Sequence, residues 1–163
     1  MGTTYVTITD GVTGEEPGFW MQDGMLALWL RLLALHLPEP NDLGEHKSTY
    51  LIRNDWMRAT SVYFGGCIPH RMENAFATPE NQHVVRSAIE SLTTHLRQSD
   101  SPLDADTINL LGIDGRQYTN VQRSTLIDIA NAFNDLFNGR INATAHSTDI
   151  MPGSKPYTEA NAG

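Results

Sequence analysis

The sequence predicts an all-α protein: a single compact domain of five or six helices, with an N-terminal arm or short strand and a flexible C-terminal tail. Three observations carry that expectation. Apolar residues recur three and four apart in several stretches, the spacing of one helix face. Proline and glycine punctuate those stretches at positions that suit helix starts and ends. Only one short segment, Tyr5-Val6-Thr7-Ile8-Thr9, alternates in the manner of a strand. The length of 163 residues suits one hydrophobic core, and 40% apolar against 18% charged residues fits a folded globular chain.

Residues 1–18 are rich in Thr and Gly. Tyr5–Thr9 reads as a strand and Asp10-Gly11 as the turn after it, so this segment is either an arm or one edge hairpin. Pro17-Gly18 marks the boundary to a helical body over 19–141. The first helix is expected from Phe19 to Leu37, stopping at Pro38-Glu39-Pro40. Nearly every position from Leu26 to Leu37 is apolar, and a helix apolar all round lies between others, so this is the expected central helix. A second helix fits His46 to Phe64, with Tyr50, Leu51, Trp56, Met57, Ala59, Val62 and Tyr63 at helical spacing and Gly65-Gly66 as its stop. A short turn of helix follows Cys67-Ile68-Pro69, around Arg71 to Phe76.

The third helix has the clearest start. Thr78 can accept the first free amides as N-cap, and Pro79 sits where a missing N–H costs nothing. Val85, Ala88, Ile89, Leu92 and Leu96 then form one apolar stripe, ending near Ser99-Asp100. Ser101-Pro102 repeats the cap-and-proline device, with Asp104 in the first turn and Gly112 as the stop. The last helix runs from about Val121 to Asn138, with Leu126, Ile129, Phe133, Leu136 and Phe137 on one face. From 142 the composition shifts to Ala, Thr, Asn, Gly and Pro, which reads as a flexible tail.

Charge and composition then exclude several functions. Lys and Arg number 11 against 19 Asp and Glu, and a net charge of −8 repels a phosphate backbone, so direct nucleic-acid binding is not expected. The most apolar run, Met25 to Leu37, is too short for a membrane span of roughly 20 residues and is interrupted by Arg31 and His36. No Lys or Arg precedes it, while Asp10, Glu15 and Glu16 do, unlike a signal peptide; a cytoplasmic protein is expected. One cysteine cannot form an internal disulfide.

Few residues suggest chemistry. In Gly65-Gly66-Cys67-Ile68-Pro69-His70, a nucleophile reading would pair Cys67 with His70 as base, but no third group orients the histidine, and a buried Cys after a helix stop is the commoner case. His36, His46, His70, His83, His95 and His146 show no zincin spacing, so neither metal nor cofactor is expected. Asp104-Ala105-Asp106 begins like a calcium loop, but Ile108 and Asn109 stand where a ligand and a glycine belong. No phosphate-binding glycine pattern is present. Trp20, Trp29, Trp56, Phe19, Tyr50 and Tyr63 read as core rather than as a ligand pocket. Carboxylates cluster twice: seven between Asp10 and Glu45 against one basic residue, Arg31, and a second group of Asp100, Asp104, Asp106 and Asp114. Their ordinary role is solubility; their functional one would be to steer a basic partner.

One resemblance adds to this reading. Phe64-Gly65-Gly66-Cys67, Thr78-Pro79-Glu80 with Ala88-Ile89, Leu103, Ile108-Asn109-Leu110-Leu111-Gly112, and Phe133-Asn134-Asp135-Leu136-Phe137-Asn138-Gly139 follow one another in order. Over about Phe64 to Gly139 the chain resembles the small helical immunity proteins of contact-dependent growth inhibition and other polymorphic bacterial toxin systems. The resemblance implies a non-catalytic protein that binds one cognate toxin C-terminal domain tightly and blocks it. Such toxins are frequently nucleases with basic surfaces. Contact residues in that family vary with the toxin, so Asp100, Asp104, Asp106 and Asp114 are taken as partner-binding candidates from charge placement alone. The alternatives are a small enzyme or ligand-binding domain with Cys67 and His70 at a pocket, and a helical adaptor subunit.

Overall fold

A helix buried on every side through its middle organises the molecule. In the computed structural model, which describes residues 2–9, 13–39 and 43–158 (backbone only for 43–46), this is α1, Asp23–His36. Every position from Leu26 to Ala34 on it is buried, as its all-round apolar sequence predicts. Around it lie β1 (Thr3–Thr7), β2 (Gly18–Gln22), α2 (Leu43–Ser61), α3 (Met72–Ala75), α4 (Pro79–Leu96), α5 (Ala105–Asn109) and α6 (Arg123–Phe137). α2, α4 and both strands pack on α1, and α6 packs on α4.

The protein is mostly helical but not all-α. Gly18–Gln22, expected to open the first helix or to precede it, is a strand. It pairs antiparallel with β1 in the register Thr3↔Gln22, Tyr5↔Trp20 and Thr7↔Gly18. The Phe19-Trp20-Met21 run suits a strand as well as a helix, and the pairing decides between them. Thr4, Val6, Phe19 and Met21 turn to the core, whereas Tyr5 and Trp20 meet on the other face with ring centres 5.2 Å apart. A Cβ on Gly18 would run into the Val6 carbonyl, so only glycine allows this approach. Residues 1–18 therefore contain a packed strand rather than an arm, and the Asp10-Gly11 turn lies outside the described residues.

The expected flexible tail is also packed, as far as 158. The outer edge of β2 donates from Gly18 N–H to Ala143 O (3.0 Å) and from Trp20 N–H to Ile150 O (3.3 Å). The Trp20 indole adds a bond to Ala145 O at 3.0 Å. Ile150 and Tyr157 are buried, and the Tyr157 hydroxyl donates to Asp135 Oδ2 of α6 at 2.6 Å. A strand edge left unpaired would seek another partner, and this segment covers it.

Thr78 and Pro79 start α4 as predicted, with Thr78 Oγ1 accepting from Asn81 N–H at 3.1 Å. The next start is displaced. Ser101-Pro102 does not cap a helix, because Leu103 and Val121 exchange both backbone bonds at 2.9 Å. That bridge pushes the start of α5 to Ala105 and that of α6 to Arg123. Asp104 becomes the cap itself, accepting from Thr107 N–H at 2.9 Å and from its hydroxyl at 2.7 Å.

Two charged side chains of α1 are buried, and both bind loops. Asp23 Oδ1 accepts from the Thr4 hydroxyl and Oδ2 from Gly66 N–H, each at 2.7 Å, while Thr4 Oγ1 accepts from Ile68 N–H at 2.9 Å. Arg31 donates to Thr60 Oγ1 (2.8 Å), Ser61 Oγ (3.1 Å), Leu111 O (2.5 Å) and Gly112 O (3.5 Å). It thereby fastens the C-terminal end of α2 to the turn after α5. Replacing it strands acceptors in the interior. Arg31→Leu is expected to lower the unfolding free energy by about 3 kcal/mol, and the melting midpoint by about 6–12 °C, in urea and thermal denaturation followed by circular dichroism. A loss below ~1 kcal/mol would show these bonds to be dispensable.

Candidate functional site

The pair considered for nucleophilic chemistry is not assembled. Cys67 is exposed, whereas His70 is buried and spends both ring nitrogens on the backbone. Met72 N–H donates to Nδ1 at 3.0 Å, so the proton sits on Nε2, which donates to Tyr5 O at 3.0 Å. The carbonyl of His70 accepts from the Trp56 indole at 3.0 Å. The residue is a neutral strut joining β1, α2 and α3. Burial holds its pKa below the ordinary histidine value, against the opposing pull of the Tyr5 carbonyl and Glu73.

Of the aromatic residues expected in the core, Phe19, Trp29 and Trp56 are fully buried. Tyr50 and Tyr63 are not, at 66% and 56% exposed. Tyr63 instead walls a cleft of about 460 Å³ at the head of α1, with Asp23, Gly24, Arg116 and Tyr118. Arg116 stacks over the Tyr63 ring at 4.9 Å and donates to Phe64 O at 2.7 Å. The Tyr118 hydroxyl donates to Gly24 O at 2.7 Å, and burial raises its pKa to about 12. No motif marks Arg116 or Tyr118, since the turn that carries them reaches α1 only through tertiary packing.

All four aspartates singled out from charge are exposed, along one stretch from Asp100 to Asp114. They do not have equal freedom. Asp104 caps α5, and the Thr107 amide and hydroxyl hold its carboxyl below the usual range. Asp114 accepts from Tyr63 N–H at 3.2 Å while its own N–H donates to Thr60 O at 3.1 Å. Asp100 and Asp106 carry no such duty. Between them and Asp114 lies Leu110, at 86% exposed. On the segment that Arg31 fastens to this turn, Val62 is 58% exposed beside Tyr63. Val62, Tyr63 and Leu110 thus flank the place where Arg31 and Asp114 join the end of α2 to the turn after α5, with Arg116 over the Tyr63 ring.

Set against protein-family models, curated proteins and solved structures, the chain matches none. Among the described residues, no helix is long and apolar enough to cross a membrane. Nor do three or more His, Cys, Asp or Glu side chains gather there as a metal set.

The His70 geometry has a pH consequence. A group whose folded pKa lies below its unfolded value leaves the unfolded chain binding more protons, so stability is full above pH ~6.5 and declines as pH falls below it. The unfolding free energy is expected to fall between pH 7 and 5, and the His70 ring to titrate below ~6.5 by NMR. Titration at or above that value would refute the assignment of its two hydrogen bonds.

Proposed function

We propose that the protein is a non-catalytic immunity protein that binds and neutralises the toxic C-terminal domain of a polymorphic bacterial toxin in the cytoplasm. The toxin would present a basic, nuclease-type surface. The reading rests on the resemblance over Phe64 to Gly139 and on one structural observation: exposed apolar side chains, Leu110, Val62 and Tyr63, on segments that Arg31 and Asp114 hold together. Leu110, Val62 and Tyr63 are of the kind that anchor protein interfaces, Asp114 supplies charge beside Tyr63, and Asp100 and Asp106 are exposed earlier on the same stretch of chain. A net charge of −8 favours encounter with a basic partner.

The first test is co-expression with the C-terminal domain encoded by the gene immediately upstream. Growth arrest relieved by this protein, with a one-to-one complex on a sizing column, is the expected result; a harmless neighbour that never co-elutes would overturn the reading. Within such a complex, Asp100→Lys with Asp106→Lys is expected to slow association about tenfold at low salt, an effect that shrinks as salt screens the charges. Leu110→Ala is expected to speed dissociation instead. Asp104 and Asp114 are poor test positions because their carboxylates also hold the fold. An unchanged association rate would exclude Asp100 and Asp106 from the contact.

A second reading, a small-molecule-binding domain, draws on the cleft at the head of α1. A Cβ on Gly24 would meet nothing within 4 Å, so Gly24→Leu should fill the cleft without disturbing the fold. A bound compound lost on that substitution would favour this alternative.

A further inference from the structure

We propose that His36 and His95 form a surface site for a divalent transition-metal ion of the zinc class, bridging the C-terminal ends of α1 and α4. Nothing in their sequence spacing marks them as a pair. Packing of α1 on α4 brings them together, His36 as the last residue of α1 and His95 in the last turn of α4. Their ring centres lie 5.6 Å apart, with the planes at 49°. Two imidazoles that share one ion, each nitrogen ~2.0–2.1 Å from it, have ring centres about 4.5–6 Å apart. The observed separation lies within that range.

A second contact suits the same role. Ser91 Oγ lies 3.0 Å from Nδ1 of His36, which orients the ring and leaves Nε2 as the nitrogen open to an ion. On coordination Nδ1 carries the proton and the serine oxygen accepts it, the outer-shell arrangement that fixes a ligating histidine. The rings open into a cleft of about 500 Å³ shared with Glu90 and Gln98, which leaves room for water to complete the coordination. Glu90 provides negative charge there. Arg123 and Arg53 are the opposing cations, the first engaged by the carbonyls of His95 and Leu96 and the second by those of Ala34 and Leu37. With two protein ligands and the rest water, the ion would be exchangeable, unlike a closed structural zinc.

The test is calorimetric titration of the untagged full chain with zinc(II) in a non-coordinating buffer at pH 7.5. A Cys67→Ser background is used because that thiol is exposed and would compete. One ion per chain is expected. His36→Gln and His95→Gln should each weaken binding at least tenfold, and Ser91→Ala by up to about tenfold. The exposed His83 and His146 serve as controls, and their Gln variants should bind as the parent does. Proton NMR of the parent needs no variant at this pair and should show zinc shifting the His36 and His95 rings first. Unaltered affinity in either variant, zinc shifting only other rings, or no binding at millimolar zinc would each overturn the site.

Discussion

The fold depends on one constraint: from Leu26 to Ala34, α1 has no face in water. A helix buried on all sides must have its polar groups satisfied by other parts of the chain, because a stranded donor, acceptor or charge is costly in an interior. Asp23 and Arg31 meet that requirement in complementary ways, whereas the Trp29 indole N–H of the same helix is buried without a partner. Asp23, in the first turn, collects a hydroxyl from β1 and an amide from the loop after α2. Arg31, two turns on, gathers hydroxyls from the end of α2 and carbonyls from the turn after α5. Loops distant in sequence are thereby fixed relative to one helix, and with them the edge that carries Leu110 and Asp114.

The same logic accounts for the two ends of the chain. β1 alone would be a lone strand, and a two-stranded hairpin is marginal without further cover. Its core face packs on α1, and the outer edge of β2 is taken up by Ala143 and Ile150. The N- and C-terminal segments therefore stabilise each other across a sheet too small to stand by itself. Tyr157 then anchors the last described stretch on Asp135, which Arg140 also approaches at 3.4 Å.

With the interior so fully used for structure, the features that suggest function lie on the surface. His70 and Asp23, groups that in other settings could do chemistry, are each held by two or more hydrogen bonds inside the fold. What remains accessible is a set of exposed apolar side chains near Asp114, a cleft at the head of α1 and a histidine pair where two helices end.

Local chemistry was enough to determine the helical body. The all-round apolar run of α1, the Thr78-Pro79 start of α4 and the Leu126-to-Phe137 stripe of α6 depend on spacing and capping that any reader of the chain can see. Tertiary contact decided the rest. Phe19 to Met21 became a strand because β1 was there to pair with it, and Leu103 met Val121 and so moved two helix starts. Residues 143–158 lack the apolar periodicity of a helix, yet they settle where unpaired β2 amides await acceptors. His36 and His95 became neighbours only when α1 lay against α4. Periodicity and caps act within a few residues, whereas an open hydrogen-bonding edge or a shared cleft exists only once distant segments have met.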